Sequence, residues 1–159
     1  MVKFDVIAKD IIEKDKFKSL MNEPHHGLNR YEHVMRVAKN TYRLSKFLRM
    51  DYISATRGAL LHDYFTNEDE RNIPRMQRGK THPAIALLNA REDHYLNKKE
   101  ENIIVSHMFP MGKVRPNCKE SWIVTSVDKS VALYECTRFK LKNYFLLLVG
   151  LTTEFFIYR

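Results

Sequence analysis

The sequence predicts an all-α fold in which residues 1–159 form one compact helical bundle of about seven helices. Three observations favour this fold class. Apolar residues recur at helical spacing in most segments, whereas strict alternation over strand lengths is scarce. Only five Gly and five Pro are present, too few for a turn-dense β-sandwich. A chain of 159 residues can bury one core, and no repeat or linker divides it.

The predicted helices follow one another with short breaks. They cover residues 4–20, 29–49, 52–64, 83–91, 97–108, 119–137 and 139–158. Asp51 can cap the third helix. Pro83 suits the first turn of the fourth helix, where its missing N–H costs no hydrogen bond. The polar stretch 66–80 contains Pro74 and Gly79 and predicts a loop.

The last predicted helix is the most apolar segment of the chain. Its residues 144–158 read YFLLLVGLTTEFFIY, with Glu154 as the one charged residue. This stretch is shorter than the ~20 apolar residues of a spanning helix, and a carboxylate within it would be costly in lipid. We therefore expect a buried terminal helix and no transmembrane span, with weak peripheral membrane contact as the alternative.

The charge of the chain predicts an anionic partner. Twenty-seven Lys and Arg against nineteen Asp and Glu give a net charge of +8. These basic residues are scattered rather than clustered, so no stable nucleic-acid complex is expected. Cys118 and Cys136 fit neither a disulfide framework nor a zinc finger, which favours a reducing, cytoplasmic setting. The oligomeric state is left open.

Several titratable residues fall where the helical pattern points inward. His33 shares a stripe with Val37, and Asp128 lies one turn from Val124. The pair His62-Asp63 ends an apolar run, and His107 directly follows another. A buried ionised carboxylate is costly unless it is paired, hydrogen-bonded or bound to a metal. One buried histidine is most often an ordinary core residue, but this joint arrangement predicts a metal centre inside a helical bundle.

The order of these residues resembles the HD superfamily of metal-dependent phosphohydrolases, in particular its small stand-alone bacterial members. The pattern H…HD…H…H…D is formed by His33, His62, Asp63, His82, His107 and Asp128, with spacings of 29, 1, 19, 25 and 21 residues. The phrases YEHVMRVAKN, GALLHDYF and SVDKSVALYE look like the family's ligand helices. The likeness spans about residues 30–135, the motif core of the chain.

The resemblance implies both the metal ligands and their roles. His33, His62, Asp63 and Asp128 would form the primary site, and His82 and His107 a second site bridged by the catalytic Asp63. The expected cofactor is one or two divalent transition metal ions, Mn, Fe, Co or Ni rather than Mg or Zn. Two such ions can activate water for attack on a phosphate ester. The chain carries no GxSxG, Walker A or GxGxxG motif that would indicate other chemistry.

An anionic substrate also needs cations near the metal ions. Basic residues flank the expected ligands, and the candidate substrate-binding residues are Arg30, Arg36, Lys80 and Lys129. Among them, Lys80 and Arg30 are the leading candidates to contact phosphate. His25 and His26 precede the first ligand helix; they either close over the site or are ordinary loop residues.

The chain departs from several HD subfamilies at one position. Binuclear members often carry a lysine three residues after the HD aspartate, whereas Thr66 stands there in this chain. The GYP signature of cyclic-di-GMP phosphodiesterases is absent as well. We therefore expect a preferred substrate that differs from theirs.

The leading hypothesis for function is a metal-dependent phosphomonoesterase or phosphodiesterase. Its substrate would be nucleotide-like or another small phosphorylated molecule. Two alternatives stay open: an HD-type di-iron oxygenase, and a non-catalytic basic helical module that binds RNA or acidic lipid. The last of these predicts dispensable metal and binding that weakens steeply with salt.

Overall fold

Seven α-helices dominate the chain, and one short hairpin is the β-structure among the described residues. The computed structural model describes residues 2–25 and 27–157, with side chains as far as Leu141. The elements are α1 (Phe4–Ile12), α2 (Asp15–Ser19), a 3₁₀ turn (Leu20–Asn22), β1 (Pro24–His25), β2 (Leu28–Asn29), α3 (Arg30–Phe47), α4 (Tyr52–Leu61), α5 (Arg75–Asp93), α6 (Lys98–Ser106) and α7 (Lys119–Ile157). The predicted all-α fold class is confirmed.

The central element is α4, which packs against α1, α3, α6 and α7. Its side chains Leu60 and Leu61 are fully buried, together with Val37 of α3 and Ile103 of α6. Gly58 lets α6 approach closely, since a Cβ at that position would lie 2.7 Å from Ile103. The ends of α4 and α6 are thereby brought together in the interior, and both of them carry site residues.

Side-chain caps fix where three helices begin. Asp51 accepts a hydrogen bond from Ser54 N, at 3.1 Å, and so caps α4 as predicted. Asn29 caps α3, and Asn97 forms a reciprocal capping box with Glu100 at the start of α6. These caps satisfy backbone N–H groups that would otherwise have no partner at the helix starts.

The β1–β2 hairpin turns at Gly27, and α3 begins directly after β2. This glycine has a φ of 83°, which L side chains rarely adopt. The ring of Phe139 on α7 lies where a Cβ at Gly27 would be. The turn and α7 are therefore in direct contact.

Three predicted helix boundaries are wrong. Residues 4–20 are not one helix, because Glu13 and Lys14 interrupt it between α1 and α2. The predicted loop 66–80 is helical from residue 75, and Pro83 lies well inside α5 rather than in its first turn. Pro83 is buried, so burial against the neighbouring elements outweighs the local cost of an interior proline.

The end of the chain also differs from the expectation. The predicted helices 119–137 and 139–158 are one continuous helix, α7, of 39 residues. No glycine or proline falls near residue 138 to end it. Whether its last part is buried lies outside the described side chains. Across the helices that the structure describes, none is both long and apolar enough to cross a membrane.

Candidate metal centre

The six residues of the H…HD…H…H…D pattern lie together in two groups. In the first group, His33 comes from α3, His62 directly follows α4, and Asp128 comes from α7. In the second, Asp63 adjoins His62, His82 comes from α5, and His107 directly follows α6. Within each group, one potential ligand atom of every residue lies within 4.8 Å of the others. None of the six residues is more than 9% exposed.

The first group is centred on one oxygen of Asp128. His33 Nε2 lies 3.1 Å from Asp128 Oδ1, and His62 Nε2 lies 3.6 Å from the same atom. Two imidazole nitrogens and one carboxylate oxygen thus point to a common volume. This donor set suits a divalent transition metal ion.

The second group is centred on one oxygen of Asp63. Its Oδ1 lies 3.5 Å from His82 Nε2 and 3.4 Å from His107 Nε2. The other oxygen, Oδ2, lies 3.8 Å from His62 Nε2 in the first group. Asp63 therefore presents one carboxylate oxygen to each group, as a bridging ligand would.

Backbone carbonyls fix the orientation of three imidazole rings. The Nδ1 atoms of His62, His82 and His107 lie 2.8, 2.9 and 2.7 Å from the carbonyl oxygens of Ala59, Arg78 and Ile104. A carbonyl oxygen can only accept, so each Nδ1 carries a proton and donates it. In each neutral ring the lone pair is then on Nε2, the atom that faces the group.

The donor atoms of this site fit a cation. His82 Nε2 and His107 Nε2 are 3.0 Å apart, and two lone pairs at this separation repel unless a positive charge lies between them. Among the described residues, the buried atoms His62 Nε2 and Asp63 Oδ1 have no hydrogen-bond partner. Buried polar atoms without a partner are costly, and coordination to a metal ion would satisfy them.

The aspartates of the two groups are held in their ionised form. Burial by itself raises the pKa of Asp63, but the surrounding imidazole groups, that of His62 foremost, hold that pKa well below its usual value. Burial has the same effect on Asp128, and its hydrogen bond with His33 together with the nearby His62 imidazole outweighs it, so the pKa of Asp128 is also lowered. Both carboxylates are therefore available as anionic ligands near neutral pH.

The fourth imidazole, that of His33, has a different partner. Its Nδ1 lies 2.8 Å from Oε2 of Glu135, a buried carboxylate on α7, and the other Glu135 oxygen accepts a hydrogen bond from Arg36. Burial alone would lower the pKa of His33, but its bonds to Asp128 and Glu135 raise that pKa to about 9. Without a metal ion, this ring is therefore protonated near neutral pH.

A cavity of about 290 Å³ opens beside the second group. Its wall combines the ligands with two basic residues, one acidic residue and apolar side chains, and it is lined by His25, Asp63, Phe65, Glu70, Arg78, His82, His107, Met108, Met111, Asp128, Lys129 and Ala132. Lys129 donates to the His107 carbonyl at 2.9 Å, and burial lowers the pKa of its ammonium group.

The four basic residues predicted to bind substrate have different surroundings. Lys129 lines the cavity. Lys80 lies on α5 and is exposed. Arg36 binds Glu135. Arg30 is buried, donates to the Phe65 carbonyl at 2.6 Å and lies over the Phe65 ring.

The structure places His25, one of the two histidines that precede the first ligand helix, at the site, and it adds Arg78, Glu70 and Glu135, which the sequence analysis did not assign to it. His25 lines the cavity, with its ring centroid 4.4 Å from that of His33, whereas His26 is outside the described residues. Arg78 and Glu70 also line the cavity, and no sequence pattern marks either of them. The sequence does contain an indication for Glu135, because this residue lies seven positions after Asp128 and therefore on the same face of α7.

Comparison with known proteins identifies the family of the chain. The family model for the HD domain matches residues 30–133, well over half of the chain. No curated protein matches the sequence. No solved structure matches it either. The family model spans all six residues of the two groups, and HD domains are in general metal-dependent phosphohydrolases. The chain belongs to the HD domain family.

Proposed function

We propose that the chain is a binuclear metal-dependent phosphohydrolase that cleaves a phosphomonoester or phosphodiester in a small, nucleotide-like molecule. The observation that carries the proposal is the position of Asp63. Its Oδ1 faces His82 and His107, and its Oδ2 faces His62. A carboxylate shared in this way is the natural bridge between two ions.

The metal ligands in this proposal are the six buried residues. One ion would be held by His33, His62 and Asp128, and the other by His82 and His107. Asp63 would bind both ions. When bound, divalent ions lower the pKa of a coordinated water and polarise a phosphate oxygen. The donor set of imidazole and carboxylate favours Mn, Fe, Co or Ni.

The cavity residues supply what the phosphate group of the substrate needs. Lys129 and Arg78 are the basic residues on its wall, and both can donate charge-assisted hydrogen bonds to phosphate oxygens. Lys129 is already oriented by its bond to the His107 carbonyl, so little side-chain entropy is lost when it binds substrate.

The size and lining of the cavity support a small substrate. Its volume of about 290 Å³ is at the lower end of the range for small-molecule sites. Phe65, Met108 and Met111 form an apolar part of the wall that suits a base or another apolar leaving group. A long RNA would find no continuous groove in a cavity of this kind.

The test begins with protein purified without chelator. Elemental analysis should find up to two transition metal ions per chain. A panel of mono-, di- and cyclic nucleotides and simple phosphate esters, assayed with Mn, Fe, Co, Ni and Mg, should then show metal-dependent release of phosphate or nucleotide. Asp63→Asn is the inactive control.

Two outcomes would contradict the proposal. Protein shown to carry its ions that releases no product from any substrate would exclude the hydrolase. Oxygen consumption by the iron-loaded form, together with an inactive panel, would instead favour the oxygenase.

A further inference from the structure

We propose that Glu135 is a positioning residue that sets the His33 ring for metal binding, and that Arg36 holds Glu135 in place. The inference rests on the proposed metal centre. It assigns a task to two residues outside the six ligands, and it gives Arg36 a role other than contact with substrate.

The contrast among the four histidines carries the argument. His62, His82 and His107 each donate from Nδ1 to a backbone carbonyl three or four residues earlier in the chain. These acceptors belong to the same helical segment as the ring. His33 instead pairs with a carboxylate 102 positions away, on a different helix. The partner of its Nδ1 atom is therefore a side chain of another helix, α7, and not its own backbone.

The Glu135 carboxylate is buried, and its hydrogen-bond partners are protein groups. Its side chain is 0% exposed, and its two oxygens have separate partners, His33 Nδ1 and Arg36. A buried carboxylate is costly, and an ion pair of this kind seldom stabilises a fold more than apolar residues of similar volume would. A role at the metal site explains why such a costly group is present.

The chemistry of the contact selects one form of the His33 ring. The Glu135 carboxylate can only accept, so Nδ1 of His33 must carry a proton and donate it. When His33 is neutral, the lone pair is on Nε2, which faces Asp128 at 3.1 Å. A carboxylate behind a ligand imidazole also makes it a stronger donor to the metal, and loss of such a partner typically costs about 10–100-fold in metal affinity.

Glutamine at position 135 keeps the shape and removes this selection. If its amide oxygen faces His33, its NH₂ group faces the Arg36 guanidinium. Both of these groups are hydrogen-bond donors, so they repel each other. If the amide is reversed, its NH₂ group faces Nδ1 and favours the ring form whose lone pair points away from the metal. Either orientation disfavours metal binding at the first group.

The experiment compares Glu135→Gln with the wild-type protein and with Glu100→Gln. Glu100 is an equally suitable buried carboxylate, 3% exposed and 3.0 Å from Arg57 Nε, but it has no contact with any of the six ligands in the described structure. Metal-free samples are titrated with Mn or Co by calorimetry, and the metal content is measured after equilibration at a fixed free concentration of the ion.

We expect Glu135→Gln to weaken the binding of one of the two metal ions by about 10–100-fold. The affinity for the other ion should stay within about threefold of the wild-type value. Glu100→Gln should keep both affinities. A general loss of fold stability would lower the affinity for both metal ions in both variants. Equal losses of metal affinity in Glu135→Gln and Glu100→Gln would therefore overturn the inference. Unchanged affinities in Glu135→Gln would overturn it as well.

A measurement on the wild-type protein covers the case in which Glu135→Gln does not fold. In the metal-loaded protein labelled with ¹⁵N-histidine, the His33 signal should show the proton on Nδ1, and a His33 ring with unprotonated Nδ1 would refute the inference. If the wild-type protein binds no metal ion at all, the proposed function fails. If it binds two ions but the His33 or Glu135 result is negative, only this inference fails.

Discussion

His82 Nε2 and His107 Nε2 face each other at 3.0 Å, although 25 positions separate the two residues in the chain. Both Nδ1 protons are committed to backbone carbonyls, so both lone pairs point into the same gap. Two nitrogens bound at about 2.1 Å to one ion, at right angles to each other, would be about 3 Å apart. The two rings are thus already at the separation of neighbouring ligands.

The first prediction follows from this geometry. His82→Ala or His107→Ala should remove one ion per chain and leave the other, because each substitution deletes one nitrogen from the second group only. Metal content measured after gel filtration distinguishes one ion from two. Two ions and full turnover in either variant would show that the second group does not bind metal.

The second prediction concerns the shared carboxylate. Asp63→Asn should lose both ions and all metal-dependent activity, because the amide is neutral and contributes to each group more weakly than the carboxylate. Asp93→Asn is the matched control, since Asp93 is an acceptor for Tyr64 Oη at 2.8 Å and lies outside both groups. If Asp63→Asn retained both ions, the bridging role of Asp63 would be disproved.

The third prediction is the pH dependence of metal binding. The pKa of His33 is raised to about 9, so below pH 9 a proton must leave this ring before an ion can bind. We expect the apparent affinity of the first group to rise with pH up to about 9, by at most about tenfold per unit for this one proton. Calorimetry in buffers of different ionisation enthalpy would measure the released proton, and binding without proton release at pH 7 would be the contrary result.

The same raised pKa predicts how the metal-free protein responds to pH. A group whose pKa is higher in the folded state than its unfolded value of 6.5 stabilises the fold fully below pH 6.5, and this stabilisation is lost as pH rises toward 9. The Tm of the metal-free protein should therefore fall between pH 6.5 and 9. The decrease should be smaller in His33→Gln, which has no such group to titrate.

The fifth prediction tests the cations of the cavity. Lys129→Met or Arg78→Met should raise KM by about 10–100-fold if the residue binds the phosphate group equally in the ground and transition states. Lys119→Met removes the same charge from an exposed position on α7, nine residues before Asp128, and should leave KM unchanged. Metal content is measured in each variant, so that a loss of ions is not mistaken for a loss of substrate binding.

The helical pattern of the sequence was informative about which residues point inward. The stripe through His33 and Val37 predicted an interior position, and both residues are buried. The sequence also predicted that His33 and Asp128 converge, and His33 Nε2 lies 3.1 Å from Asp128 Oδ1. Periodicity succeeds here because burial of an apolar face determines the orientation of a helix, and polar residues on that face move inward with it.

Other features depend on contacts that local sequence does not encode. Gly79 and Pro83 both indicate a break, yet α5 continues through them because its inner face is buried against the rest of the bundle. Arg78 and Glu70 are brought to the cavity by the path of the chain between α4 and α5, and no periodic pattern marks them. Arg30 precedes His33 by three residues and was predicted to contact phosphate. Its guanidinium instead donates a hydrogen bond to the Phe65 carbonyl.

The contact between Gly27 and Phe139 has a consequence for how two elements that line the cavity are joined. The hairpin that turns at Gly27 carries His25 on one side of the cavity, and α7 carries Lys129 and Ala132 on another. Because the Phe139 ring occupies the space of a Cβ at Gly27, the hairpin and α7 are in van der Waals contact at this point. Any side chain at position 27 would have to displace the Phe139 ring, so this direct contact between the hairpin and α7 depends on glycine at that position.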